Sequence, residues 1–201
     1  MSSSEPHSDP YLDKNLEDPP LRRKIADLQS FIRATKFCMM TTREDSSGLL
    51  VSRCMALAAE EDNGATLIFH TNLTSGKTDD LRSDSDVNLA FINPQGSWAS
   101  VSGRAEVVDD RTAVRKYYSP ALKAWVGDLG DGTHDGGPED PRVGVIRVHV
   151  VTVQYGLQIS EGGSTGREIV DAAKSGRPAR VSHVRHVERE EVKEWKEGKA
   201  T

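Results

Sequence analysis

Six runs of apolar, largely β-branched residues, each bounded by turn formers, constrain this chain more than any other feature. They span residues 37–42, 49–59, 66–71, 87–92, 98–108 and 143–155. Asp45-Ser46-Ser47-Gly48 and Glu61-Asp62-Asn63-Gly64 separate the first three, and Gly or Asn there supplies the positive φ that hairpin connections need. Short strands with short turns and few long helices predict a mainly β fold with peripheral helices. The expected architecture is a six- to seven-stranded antiparallel barrel, closed or partly closed.

The remaining segments set the domain organisation. Residues 1–20, rich in Ser, Asp and Pro, read as a mobile arm. Leu21, Ile25, Leu28, Phe31 and Ile32 recur at helical spacing, so 21–37 is expected to be a helix covering an open end of the barrel. A helical insertion is expected over 111–126, broken by Pro120, followed by a Gly-, Asp- and Pro-rich loop over 127–141. After Tyr155 the pattern decays: 162–166 is linker-like and 188–197 is a charged helical run. The barrel domain is therefore placed at 21–158 and a C-terminal appendage at 159–201.

At 201 residues the chain is expected to form one domain with tails. A net charge of −5 argues against nucleic-acid or anionic-membrane partners. No apolar run reaches spanning length, and the first ten residues lack the charged-then-apolar order of a secretory signal, so a cytoplasmic location is expected. Cys38 and Cys54 have no metal-ligand spacing and read as buried free thiols.

Chemistry concentrates at Phe69-His70-Thr71-Asn72-Leu73-Thr74-Ser75-Gly76-Lys77. A strand running through a polar turn into a helix aims backbone N–H groups and a lysine at one spot, where an anion fits. A Walker A loop is excluded, because Gly76-Lys77-Thr78 would need glycine at position 71 and Thr71 stands there. Ser75 is placed to cap the helix, with Asp79 and Asp80 in its first turn. One strand earlier, alternation puts Arg53 on the inward face with Val51, Met55 and Leu57. A guanidinium there needs a partner. Either a carboxylate supplies it, or Arg53 converges with Lys77 on a phosphate.

These residues resemble a known family. Phe69-His70-Thr71-Asn72 followed by Ser75-Gly76-Lys77, with Leu81 a turn on, resembles the flavin-binding segment of pyridoxamine-5′-phosphate-oxidase-like split barrels. Ser52-Arg53-Cys54-Met55 resembles that family's arginine-bearing strand, and Trp98 to Ala105 the strand ending in its Gly-x-Ala element. Within the family the chain is most similar to bacterial general stress proteins and fungal blue-light-induced proteins, partly through Trp125-Val126-Gly127-Asp128 and the loop after it. The resemblance implies an FMN-binding split barrel that forms a homodimer, with FMN in clefts at the subunit interface. It places Arg53 and Lys77 on the FMN phosphate, assisted by Ser75 and the Gly76 backbone. Cys54, Met55, Phe69, His70 and Thr71 would lie along the flavin ring or ribityl chain, and Trp98 where relatives often offer a glutamine.

One departure bears on activity. True pyridoxamine phosphate oxidases carry a C-terminal tryptophan and an Arg-x-His element that grip flavin and substrate. Here Tyr155-Gly156-Leu157-Gln158 replaces the tryptophan region, and Arg185-His186 stands farther on. The resemblance therefore implies a flavin-dependent oxidoreductase of unknown small-molecule substrate, stress-related, with no catalytic residue assigned. The alternative is a non-catalytic flavin-binding or sensor module; a third reading puts haem or a deazaflavin in the same barrel.

Other constellations carry less. Asp128 and Glu139 have EF-hand end spacing, but Gly130, Gly132 and Thr133 between them lack the ligands and the glycine that calcium needs. The loop is read as a long connection, or as a lid bringing His134 or Asp135 to a substrate. His183 and His186 have no companion ligands, so no metal is assigned and both are read as solvated tail residues.

Overall fold

Alternation builds the sheet. In the computed structural model, which describes residues 9–159 and 164–200, β1 (Phe37–Arg43) buries Cys38, Met40 and Thr42 and exposes Phe37, Met39 and Arg43. That period of two is what a strand with one covered face requires. It recurs in β2 (Leu50–Glu61), β4 (Asp86–Ile92) and β5 (Trp98–Val108). β3 (Thr66–Asn72), β6 (Val143–Gln158) and β7 (Ser182–Val187) complete a seven-stranded sheet in the order β3-β2-β1-β4-β5-β6-β7. An additional β3–β6 pairing closes the first six strands into an antiparallel barrel. β6 makes this possible by its length: residues 143–149 pair with β3, and residues 153–158 pair with β7.

Inside the barrel, Leu67, Phe69, Leu89, Phe91, Val101, Val148 and Tyr155 are almost fully buried. Each large apolar side chain so placed contributes about 1.5–3 kcal/mol. The β5–β6 register shifts between Ser102 and Gly103. A Cβ at Gly103 would stand 2.6 Å from the His149 carbonyl oxygen, so only glycine fits this bulge.

The helices are peripheral: α1 (Pro10–Asn15), α2 (Leu21–Thr35), α3 (Gly76–Ser83), α4 (Arg111–Tyr117), α5 (Lys123–Val126), α6 (Ser164–Ser175) and α7 (Arg189–Lys196). α2 lays Ile25, Leu28, Phe31 and Ile32 on the main core. α4 covers a second cluster on the outer side of β3 and β6, formed by Ile68, Val143 and Val145 with its own Ala113 and Val114. The expected break falls at Pro120, in a 3-10 turn.

Three expectations change. Residues 9–20 of the arm dock on β7: the buried Asn15 donates to the Ala179 carbonyl at 2.9 Å and accepts from the Val181 and Ser182 N–H groups. Residues 1–8 lie outside the described residues. The segment set apart after 158 pairs and packs with the barrel, since Val187, Val192 and Trp195 join the main core and β7 extends the sheet. Its strand is hard to read because Ser182, His183, Arg185 and His186 mask the alternation. Those charges are met from far away in sequence: Glu17 accepts from Arg180 at 3.0 Å and contacts His183 Nδ1 at 2.6 Å, and Arg185 pairs with Asp27 and Glu17. His183 is therefore an anchored, half-buried residue instead of a solvated one. Of the linker-like 162–166, residues 162 and 163 lie outside the described residues and 164–166 begin α6.

The loop over 127–141 is stitched to itself. The Arg142 guanidinium donates to the carbonyls of Val126, Gly127 and His134 and to the buried Asp140. Arg111 donates to the Pro138, Asp140 and Val143 carbonyls. It is built as a fixed connection, with His134 held by Asp131 at 2.6 Å. Among the described residues no helix is long and apolar enough to cross a membrane.

Candidate functional site

The strand-to-helix turn after β3 is shaped by its own side chains. Asn72 Oδ1 accepts from the Thr74 N–H at 2.9 Å and from the Thr74 hydroxyl at 2.8 Å, an Asx turn. Thr78, fully buried, donates its hydroxyl back to the Ser75 and Leu73 carbonyls. Ser75 occupies the N-cap position of α3 but does not cap it, because its hydroxyl donates to the Asn72 carbonyl at 2.6 Å and accepts from Lys77 Nζ at 2.8 Å. The first-turn N–H groups of Gly76 and Lys77 therefore have no side-chain cap and stay available to a ligand.

Arg53 and Lys77 meet at this corner. From β2, Arg53 Nη2 donates to Asp80 Oδ2 at 2.7 Å and Nη1 to Thr42 Oγ1 at 2.8 Å. Its partner is thus the second carboxylate of α3, while Asp79 is exposed and faces Arg82. Burial pushes the Asp80 pKa up, but hydrogen bonds from Arg53, the Asp45 N–H and Thr42 outweigh it and hold the carboxyl below its ordinary value. Lys77 is half-buried, and among the described residues it has no carboxylate partner. Burial, and then the Arg53 charge beside it, lower its pKa. Of the two cations only Arg53 is matched by the buried carboxylate, so the corner has a surplus of positive charge. Such a site accommodates an anion.

The other expected residues divide by face. Cys54 is exposed on the outer face of the sheet and is not a buried thiol. The pairing registers place it in a row with Met39, Ala90, Ser100 and Gln154. Trp98 lies one row away on the same face, over Gly156, where a Cβ would come within 2.7 Å of its indole nitrogen. Ser52, Cys54 and Ala56 line up along β2 as a flat strip of small side chains. Met55 and Phe69 point the other way, into the core, and Phe69 is fully buried, so a ligand outside would meet only their backbone. Thr71 is buried at the end of β3. His70 turns toward α4: its Nε2 lies 2.7 Å from the Tyr117 carbonyl, which can only accept, so Nε2 carries the proton. Burial lowers the His70 pKa against the pull of that carbonyl, so the ring is neutral at pH 7. The structure brings Arg53, Ser75, Gly76 and Lys77 together, sets Cys54 and Trp98 on the outer face, and puts Met55 and Phe69 behind them.

Two partners of Arg53 escaped the sequence. Thr42 and Asp80 come from β1 and α3, and only the inward position of Arg53 hinted that such partners must exist. The shaping role of Asn72 was legible in Asn72-Leu73-Thr74, a spacing that favours an Asx turn. A groove of about 450 Å³ lies elsewhere on the outer face and is lined by Thr41, Arg43, Asn88, Ser102, Arg104 and Thr152 among others. It belongs to the same sheet surface as Cys54, not to the Arg53–Lys77 corner.

The barrel and this corner can be set beside known proteins. Residues 23–176 match the family model described as "Pyridoxamine 5′-phosphate oxidase like". Protein bli-3 of Neurospora crassa is 55% identical over 177 residues, covering 87% of this chain and 85% of its own. Among solved structures, the general stress FMN/FAD binding protein of Xanthomonas citri shares the fold with a TM-score of 0.58 at 21% identity, over 70% of this chain and 93% of its own. A pyridoxamine 5′-phosphate oxidase-related, FMN binding protein of Nostoc punctiforme does so at 0.54 and 18%, over 69% and 84%. With the match running from α2 through α6 and a fungal relative aligned along most of both chains, the chain belongs to the pyridoxamine 5′-phosphate oxidase-like family.

Proposed function

We propose that this protein binds FMN as a homodimer and acts as a flavin-dependent oxidoreductase on a small molecule, in the reducing setting of the cytoplasm that its two unpaired thiols suit. The observation that carries the reading is the surplus positive charge at Arg53 and Lys77, beside the uncapped first turn of α3. That arrangement fits a phosphate monoester: Arg53, Lys77 and Ser75 would hold it with the Gly76 backbone. The small-residue strip of Ser52, Cys54 and Ala56 offers a platform on which a planar ring can lie, with Met55 and Phe69 stiffening it from behind and His70 and Thr71 fixing the end of β3. Bound there, the flavin supplies hydride or electron transfer, while the protein supplies position and charge.

A homodimer is supported by the outer face itself. Phe37 and Met39 on β1 and Ile92 on β4 are exposed on the same face of adjacent strands, and exposed apolar side chains grouped in that way mark a contact. Pyridoxal-phosphate synthesis is not assigned, because Arg185 is only 2% exposed and engaged with Asp27, Glu17 and Tyr155. It is not free to grip a substrate.

A non-catalytic flavin-binding module is the second reading. It is favoured by His70, the one histidine in the flavin-strand motif, being neutral and locked on a backbone carbonyl instead of poised for proton transfer. Purified protein loaded with FMN distinguishes the outcomes. Bound-flavin absorbance with quenched fluorescence, in a particle of two chains by light scattering, is expected. Oxidation of reduced pyridine nucleotide by that complex selects the enzyme, and its absence the module. Protein that neither retains FMN nor quenches it would overturn both.

A further inference from the structure

We propose that Thr42 and Asp80 are positioning residues that set the phosphate selectivity of the corner by fixing the Arg53 guanidinium. The inference rests on the FMN reading above. The three side chains form a closed ring from three elements. Arg53 Nη1 donates to Thr42 Oγ1 at 2.8 Å, Thr42 Oγ1 donates to Asp80 Oδ2 at 3.1 Å, and Asp80 Oδ2 accepts from Arg53 Nη2 at 2.7 Å. Every bond in the ring ends on an acceptor fixed by chemistry. The single hydroxyl proton of Thr42 is spent on the Asp80 carboxylate, so its oxygen meets Arg53 as an acceptor. The other oxygen of Asp80 accepts from the Asp45 N–H at 3.2 Å, which pins the carboxylate to the turn after β1. Thr42 and Asp80 are both buried, whereas the Arg53 side chain is 32% exposed. The ring therefore holds both terminal nitrogens of the guanidinium on buried partners while part of the side chain stays open to a ligand.

Asp80 also links the two cations. It stands three residues after Lys77 on α3, so both lie on one helix face. The helix that presents the lysine carries the carboxylate that orients the arginine. A long, partly exposed arginine without these partners would spread over many rotamers, and little of its population would face Lys77.

Charge alone predicts the opposite effect. Arg53 and Lys77 against Asp80 leave one net positive charge, and removing the carboxylate would leave two, which should attract a phosphate dianion more strongly. Positioning predicts weaker binding. The two accounts differ in sign.

The test is titration of the full chain with FMN and with riboflavin, followed by fluorescence quenching, for wild type, Asp80→Asn, Asp80→Glu and Thr42→Val. Wild type is expected to prefer FMN. Asp80→Asn and Thr42→Val should each lose about tenfold or more in FMN affinity, with riboflavin affinity within about twofold of wild type, and Asp80→Glu should recover part of the loss. A purely structural defect would lower both ligands together, so the FMN-to-riboflavin ratio is the decisive readout. Unchanged or tighter FMN binding in Asp80→Asn, or equal loss of both flavins, overturns the inference. Should Asp80→Asn fail to fold, Thr42→Val carries the test alone, since it is uncharged and nearly the same shape. A wild type that binds both flavins equally removes the phosphate reading, and this inference with it; a preference that the variants keep removes the inference alone.

Discussion

Cys38 and Cys54 sit on paired strands but face opposite ways, and that difference sets their chemistry. Burial, reinforced by Cys54 nearby, pushes the Cys38 thiol up to about 12, so almost none of it is thiolate at pH 8. Cys54 lies open in the strip proposed to carry the flavin. An aromatic disulfide reagent at pH 8 should therefore modify one thiol per folded chain, lost in Cys54→Ser, and bound FMN should slow that modification several-fold. Equal reactivity of both thiols, or no protection by FMN, would contradict the placement of the ring. At this scale the sequence was informative where a residue broke a pattern. Arg53 announced itself by standing on an apolar face, whereas Asp80 read only as a first-turn carboxylate and nothing marked Thr42, because their roles depend on strands and a helix meeting in space. Alternation already put Met55 on the inner face with Arg53, and the family resemblance alone set Met55 and Phe69 beside the flavin.

The elements show where local signals suffice. Strands with uninterrupted β-branched runs fell within a few residues of their predicted ends, and the turns with Gly48 and Asn63-Gly64 adopt the positive φ expected of them. β7 did not announce itself, since its polar residues are matched by Glu17 and Asp27 from the other end of the chain. The loop over 127–141 is also more ordered than its composition implies. Its buried Asp140 would be pushed up by burial, yet Arg142 and the N–H groups of Arg142 and Gly136 hold it down to about 2. A depressed carboxylate stabilises the fold fully above its unfolded value of 3.8 and loses that contribution as pH falls toward 2. Urea midpoints measured from pH 7 to pH 2 should fall below pH 4. Asp140→Asn should start lower at pH 7 and drop less steeply. A variant as stable as wild type at pH 7 would show that the loop does not depend on this staple.

For the whole molecule, fold class was legible because six patterned strands without long helices leave few alternatives. Closure was not: the β3–β6 pairing joins residues more than seventy positions apart, and no local pattern encodes which strands meet. Closure is also what assembles the site. It brings the inward Arg53 to the barrel end that α3 covers, and it leaves one broad outer face, on which the proposed flavin strip and second copy would lie. Lys77 is the cation of the proposed phosphate corner that has no carboxylate partner among the described residues, so the most direct measurement compares FMN and riboflavin dissociation constants for wild type and Lys77→Ala. Loss of a charge-assisted contact of about 1.5–3 kcal/mol predicts FMN binding weakened roughly 10- to 150-fold, with riboflavin binding little changed. Equal losses for both flavins, or no loss for FMN, would contradict it.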